Sequence, residues 1–339
     1  MPNLLVTGGA GFIGSSFVRQ AIAEGHTVTV LDALTYAGHT ENLAGLSERF
    51  EFVKGNIADA ELVASLLKNR RIQAVAHLAA ESHVDRSITG PADFVQTNVT
   101  GTFVLLNEAL KYWDHLPKEE QSAFRFIQVS TDEVYGSLGS TGKFSETTPY
   151  SPNSPYSASK ASGDFLARAW FHTYGLPTVI TNCSNNYGPR QYPEKLIPLM
   201  ISRALSQGKL PVYGNGSNVR DWIHVEDHCN GVLLALKRGE PGSTYCFGGN
   251  AEFSNIDLVK TLCACLDRLQ PRKDGQKHES SIEFVKDRPG HDFRYAIDDT
   301  KAQKELGFKR KYKFESGLEA TVKWYVENLA WCRAVEKKR

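Results

Sequence analysis

Long hydrophobic runs are missing from this sequence. No apolar stretch approaches the roughly 20 residues that cross a bilayer, and strand-like patterning already begins at Leu4, leaving no space for a secretory leader. These absences predict a soluble, cytoplasmic protein with no membrane partner. Charge of one sign is missing too: 39 Lys and Arg face 38 Asp and Glu, for a formal net charge of +1. A general nucleic-acid binder needs a broad basic face to displace counterions, so nucleic acid is not expected as a partner, whereas a small anion held by a local cluster remains allowed. Cysteine is sparse. Cys183, Cys229, Cys246, Cys263, Cys265 and Cys332 include no C-x-x-C pair, and Cys263 and Cys265, two apart in a predicted helix, point to different faces. We expect no metal site and six reduced, structural thiols. Internal repeats, low-complexity tracts and flexible linkers are also lacking.

What is present is enough for a large core: 339 residues, 41% of them hydrophobic. The first half alternates short apolar strands with helical stretches, as a parallel sheet wound with crossover helices requires. Strands are predicted at Asn3–Thr7, Thr27–Asp32, Phe50–Asn56, Ala74–Ala79, Phe124–Ser130 and Thr178–Asn182, with helices near Phe12–Ala23, Ala60–Asn69, Pro91–Tyr112 and Tyr156–Tyr174. A polar, Gly-rich loop over Thr131–Asn153 is long for a connection and points to function. After Asn182 come loops dense in Asn, Gly, Pro and Arg, with helices near Lys195–Gln207, Val225–Lys237, Asn255–Arg268 and Glu315–Val335. The Lys-rich tail, Glu336–Arg339, reads as a solvated helix end. The fold class is α/β: a doubly wound parallel sheet (Rossmann) with a smaller α/β C-terminal substrate lobe. The division falls at 1–184 and 185–339, with 211–240 allowed to return to the first domain.

Gly8, Gly11 and Gly14 lie directly between the first strand and the first helix. Glycines there let the backbone turn sharply and approach a pyrophosphate, whose charge rests on the helix N-terminus. The next strand ends in Asp32, suited to hold a ribose 2′-hydroxyl and to repel a 2′-phosphate, which favours NAD over NADP. Asn56 and Ile57, ending strand three, sit near the expected adenine. Leu78, Ala79 and Ala80 end strand four, where small residues allow close approach. Thr97 and Asn98 on the following helix are read equally well as cofactor contacts or as ordinary polar helix residues.

Tyr156 and Lys160 form Y-x-x-x-K on one helical face. An ammonium beside a phenol favours the phenolate, so Lys160 is expected to lower the Tyr156 pKa. Chance alone places roughly one such pair in a chain with this many tyrosines and lysines; its position after strand five, downstream of the glycine turn, is what singles it out. Strand five ends in Ser130-Thr131-Asp132-Glu133-Val134-Tyr135-Gly136. Two adjacent carboxylates facing a cofactor crevice raise one another's pKa and can give one acid and one base, as an elimination needs. On local sequence a polar strand end with Asp132 as a turn residue is an equal reading.

The glycine turn, Ser130/Thr131 and Tyr156/Lys160 resemble the extended short-chain dehydrogenase/reductase family of nucleotide-sugar enzymes. Within it, Ser130–Gly136 resembles the dTDP-glucose 4,6-dehydratases, since related epimerases and decarboxylases usually lack the full Asp-Glu pair. The likeness continues through Asp32–Gly38, Ala80–Ser87, Asn185–Pro189, Pro193–Pro198, Arg220–Trp222 and Asp287–Asp292, from residue 4 to about 325. Ala33, where a polar residue is usual, and Asn56, where Asp is usual, depart from the pattern and touch cofactor affinity rather than chemistry.

The resemblance implies a catalytic set of Thr131, Asp132, Glu133, Tyr156 and Lys160. It extends the NAD contacts to Phe12, Ile13, Ala33, Leu34, Thr35 and Asn186. It implies a substrate set of Ser82, His83, Thr131, Asn185, Glu194, Lys195, Leu196, Arg220, Asn255, Arg288 and His291, with the two arginines and Lys195 for a diphosphate. It also implies a homodimer through the helices at Pro91–Tyr112 and Tyr156–Tyr174. The expected reaction is dehydration of a nucleotide-diphosphate-glucose to the 4-keto-6-deoxy sugar; UDP-glucose as substrate, C4 epimerisation, decarboxylation and a non-catalytic dinucleotide sensor are the rival readings.

Overall fold

The computed structural model describes residues 2–46 and 49–336; the end of the tail, 337–339, lies outside them. Twelve strands form among these residues: β1 Asn3–Thr7, β2 Thr27–Asp32, β3 Phe50–Lys54, β4 Ala74–His77, β5 Arg125–Thr131, β6 Thr178–Cys183, β7 Asn185–Tyr187, β8 Leu210–Tyr213, β9 Val219–His224, β10 Thr244–Phe247, β11 Glu252–Ser254 and β12 Ile282–Val285. Seven make one sheet in the order β10-β6-β5-β4-β1-β2-β3, every neighbouring pair parallel. Strands covered on both faces read as continuous apolar runs, and Leu4, Leu5 and Val6 are fully buried. One face packs on the helices Phe12–Ala23 and Val225–Arg238 through Phe17, Val18, Val232 and Leu236. The other packs on Ala60–Asn69, Thr102–Asp114 and Pro155–Tyr174 through Val63, Leu67, Leu105 and Ala167. The sheet is thus doubly wound. Its order reverses between β1 and β4, which opens a crevice at the strand C-termini.

Two strands stop two residues before their predicted ends because side chains take over from the ladder. After β4, Leu78 N still donates to Thr7 O, but Ala79 N donates to the Thr7 hydroxyl. After β3, the Asn56 side chain accepts from Ala58 N and starts a turn. The helix expected over Pro91–Tyr112 runs as α at Pro91–Phe94, π at Val95–Gly101 and α at Thr102–Asp114. Short helices at Val84–Thr89 and Lys118–Ala123 were not expected. The last predicted helix is broken into Phe314–Glu327 and Leu329–Glu336 at Asn328, whose side chain donates back to the Trp324 carbonyl.

The remaining strands build the second lobe: β11-β9-β7 in one small sheet and β12-β8 in another. Its own core joins Ile201, Leu210, Trp222, Leu262 and Leu318. Between these pieces the chain crosses back, since helix Val225–Arg238 packs on the large sheet and β10 pairs with β6 through Thr244↔Ile180 and its neighbours. The lobes are interleaved along the sequence, and the crevice lies between them.

Candidate active site

The glycine turn is shaped by close approach. Gly8 has φ +71°, and a Cβ there would meet Ala79 N at 2.6 Å; a Cβ on Gly14 would meet Gly8 O at 2.0 Å. Gly11 caps the helix with no side chain to satisfy its first N–H groups, which leaves them for an anion. Asp32 is buried beside this turn. Its Oδ2 accepts from Ala10 N (2.9 Å) and its Oδ1 from Leu34 N (2.8 Å); burial raises its pKa and these two bonds oppose the rise. The cradle and the helix N-terminus fit a dinucleotide pyrophosphate. Gly8, Gly11, Phe12, Ile13, Gly14, Asp32, Ala33, Thr35, Asn56, Ile57, Leu78, Ala79, Ala80, Thr97 and Asn186 all line the cleft. Leu34 does not; its backbone, at φ +53°, serves the Asp32 turn instead.

Behind the cleft, His77 is locked as a neutral imidazole. Thr102 donates its hydroxyl to the Asn98 carbonyl (2.7 Å), so toward His77 it accepts; Nε2 carries the proton and Nδ1 accepts from Thr7 (2.7 Å). Burial holds its pKa down to about 3. Asn98 is fixed by structure rather than free to meet a cofactor: its amide clamps the Glu81 backbone from both sides at 2.9 Å and reaches Ser159 at 2.9 Å.

β5 delivers Thr131 to the cleft floor, and the tight 3-10 turn Asp132–Tyr135 that follows keeps Asp132 and Glu133 on its wall, with Thr131 Oγ1 accepting from Glu133 N. Asp132 is 2% exposed, and its Oδ2 meets no donor. Burial, then Glu133 and Asp221, push its carboxyl well above the usual carboxylate range. Glu133 is half-buried and is pushed up by burial as well, but Arg288, Arg220 and Lys195 all pull it down. The two neighbours are therefore separated by their surroundings, Asp132 pushed toward its neutral form and Glu133 kept nearer its charged one.

The helix Pro155–Tyr174 starts on a capping box, Ser154 with Ser157, and a proline at its first position. That fixes Tyr156 in the first turn and Lys160 one turn later, both on the cleft wall. The expected direct effect of Lys160 on Tyr156 is not seen. Lys160 Nζ donates to the Val129 carbonyl (2.8 Å), while burial, Glu133 and Cys183 raise the Tyr156 pKa and only its hydrogen bond with Thr131 opposes them. The physical reason is dehydration: both groups are buried, so losing water dominates over the pairing.

On the second lobe, Lys195 caps the helix Leu196–Leu205 and donates to Ser82 O at 2.8 Å. Ser82, Asn185, Glu194, Lys195 and Leu196 line the cleft. His83, Arg220, Asn255, Arg288 and His291 stand outside its walls. Arg220 donates to the carbonyls of Val219 and Asp292 and lies 4.2 Å over the Tyr295 ring. Arg288 faces Asp85 at 3.4 Å, His291 faces Asp287 at 2.7 Å, and His83 caps Val84–Thr89 and lies 4.0 Å from Glu194. Sequence reasoning missed Tyr36, Glu81, Gln191 and Tyr192, which also line the cleft. Tyr36 lies under the Arg86 guanidinium (3.7 Å) and edge-on to Tyr192; these residues come from distant segments, and only their presence near Asp32–Gly38, Ala80–Ser87 and Asn185–Pro189 hinted at them. Among the described residues, no group of His, Cys, Asp and Glu is placed to hold a metal ion.

The sequence model of the GDP-mannose 4,6 dehydratase family matches residues 5–321. The chain belongs to that family. Within the GDP-mannose 4,6 dehydratase family it is 56% identical to a dTDP-glucose 4,6-dehydratase of Xanthomonas campestris pv. campestris (strain B100), covering 99% of this chain and 96% of that protein. Its fold matches the crystal structure of DesIV, a dTDP-glucose 4,6-dehydratase from Streptomyces venezuelae with NAD and TYD bound, at a TM-score of 0.89 and 48% identity over 98% of this chain and 99% of that one. A UDP-glucose 4-epimerase from Thermotoga maritima shares the fold at a TM-score of 0.84 but only 30% identity, over 96% of this chain and 99% of that one. The fold thus serves more than one chemistry.

Proposed function

We infer that this chain is an NAD-dependent dehydratase that converts dTDP-glucose to its 4-keto-6-deoxy sugar. The observation that carries the reading is Asp132, buried with one carboxyl oxygen unpartnered and its pKa pushed up, beside Glu133 in the cleft that also holds Tyr156 and Lys160. A 4-epimerase needs no acid for a departing hydroxyl. The relatives at about half identity, named for dTDP-glucose, support the nucleotide. The glycine turn and Asp32 would hold NAD, which would supply the hydride acceptor for C4 and the hydride given back at C6, so the reaction has no net redox change.

The residues divide the proton work. Tyr156 accepts the 4-hydroxyl proton, with Thr131 hydrogen-bonded to it and Lys160 holding positive charge behind it. The 4-ketone acidifies the C5 proton, which Glu133 removes and gives back to C5 once C6 has received its hydride. Asp132 protonates the 6-hydroxyl, which leaves as water. Each such proton transfer contributes roughly 10²–10⁴ in rate. We propose that Lys195, with the Leu196–Leu205 helix N-terminus behind it, receives the diphosphate. Arg220 and Arg288 must exchange their present partners to join it.

We further propose a homodimer built on Val95, Phe103, Phe165 and Tyr174, large apolar side chains exposed on the helical segments Val95–Asp114 and Pro155–Tyr174. Light scattering that returns a single chain at micromolar concentration removes it. No described helix is long and apolar enough to cross a membrane, and we place the enzyme in the cytoplasm. Incubation with dTDP-glucose and UDP-glucose side by side tests the main reading. dTDP-glucose should lose the mass of one water without added NAD being consumed; an isomer of unchanged mass would make the chain an epimerase.

A further inference from the structure

Asp164 lies one turn beyond Lys160 and two beyond Tyr156 on the same helix, so the three share a face. It is 1% exposed. Its Oδ2 collects every hydrogen bond it makes: Ser130 Oγ donates at 2.7 Å, Tyr150 OH at 3.0 Å and Asn182 Nδ2 at 3.4 Å. Its Oδ1 is buried and meets no donor. The partners tie the catalytic strand end together, because Asn182 also donates to the Thr131 carbonyl (3.1 Å) and Tyr135 donates to Asn182 (3.3 Å).

A neutral amide would serve those three donors equally well, since one oxygen takes them all. The carboxylate is the more expensive choice in a buried site, and its second oxygen is unused by any hydrogen bond. What a negative charge adds is a counterion for Lys160, whose ammonium is buried and holds only the Val129 carbonyl. We propose that Asp164 is a positioning residue that, from the next turn of the helix and without a direct ion pair, keeps Lys160 charged beside the β5 terminus during oxidation at C4. This rests on the reading of Tyr156 and Lys160 as the oxidation pair. The electrostatics agree: Asp164 is the foremost group opposing the loss of Lys160's proton on burial, and Lys160 is the foremost group holding Asp164 down, its pKa settling at about 6.

Lysine labelled with ¹³C at Cε reads the ammonium directly, a Lys160→Met variant assigning its resonance. In the wild-type holoenzyme the Lys160 signal should show a small inflection near the Asp164 pKa, about 6. In Asp164→Asn it should lose that inflection and deprotonate about one unit or more lower. The same variant should lose roughly 10–100-fold in kcat with KM within about twofold. Tyr150→Phe removes a hydrogen bond to Oδ2 but keeps the charge, and should leave the Lys160 titration in place. A Lys160 resonance with no inflection in the wild type, or the same titration in Asp164→Asn, overturns the proposal, as does an equal shift in Tyr150→Phe. Failure of the oxidation-pair reading shows separately, as a Tyr156→Phe enzyme that still turns over.

Discussion

Adjacent carboxylates of similar intrinsic acidity become an acid and a base only if their surroundings differ. Asp132 has Glu133 and Asp221 pushing it up against the pull of Arg220, whereas three cations oppose the protonation of Glu133. The raised pKa of both groups sets the sign of the pH dependence. As pH falls, the rate drops when Glu133 takes up a proton, above the ordinary carboxylate range; as pH rises, it drops when Asp132 loses one. Asp132→Asn should keep C5-proton exchange with solvent and lose water elimination by roughly 10²-fold or more, and a 6-fluoro substrate should rescue it, since fluoride leaves with little protonation. Glu133→Gln should lose the exchange and gain nothing from fluoride. Equal responses of the two variants would reverse or cancel these roles. The pair itself was legible in the sequence as neighbours at a strand end, but its separation into acid and base was not, because Arg220, Arg288 and Lys195 arrive from other segments. Arg220 and Arg288 also show the limit of reading a residue's type alone: their charge acts on Glu133, while their hydrogen bonds go elsewhere.

At the scale of elements, apolar periodicity located every strand of the first half, and the errors fell where a side chain replaced the backbone ladder, at Thr7 after β4 and Asn56 after β3. The π segment Val95–Gly101 could not be read, because its cause is tertiary: Asn98 reaches out of the helix to hold Glu81 and Ser159. This gives an ordered prediction. Asn98→Ala strips partners from buried groups and should cost about 3 kcal/mol, whereas Ser154→Ala removes only the N-cap of the catalytic helix and should cost about 1 kcal/mol. Calorimetric melting of both variants checks the order; a larger drop for Ser154→Ala would mean that the clamp on Glu81 is incidental.

Across the whole molecule, three buried histidines set an acid limit. Burial holds His77 and His228 down to about 3 and His224 to about 4. A folded-state pKa below the unfolded value means stability that is complete above about pH 6.5 and lost as the pH falls toward those values. By about pH 5 each histidine has removed roughly 2 kcal/mol, while the raised carboxyl of Asp164, at about 6, takes up a proton over the same range and offsets part of it. The ring-proton NMR signals of these three should stay fixed from about pH 8 to about pH 5; a midpoint near the ordinary histidine value would show the rings to be wetter than the structure has them. The interleaving of the lobes has a consequence in time rather than in energy. β10, the last strand of the large sheet, leaves the ribosome only after the chain has laid down β7, β8 and β9 of the other lobe. Until Thr244–Phe247 arrives, the edge of β6 stands open along Ile180–Cys183, a row of unpaired backbone groups that another nascent chain could pair with. The large sheet therefore cannot close until part of the second lobe has been made, and the vulnerable interval of synthesis is the span between residues 183 and 244.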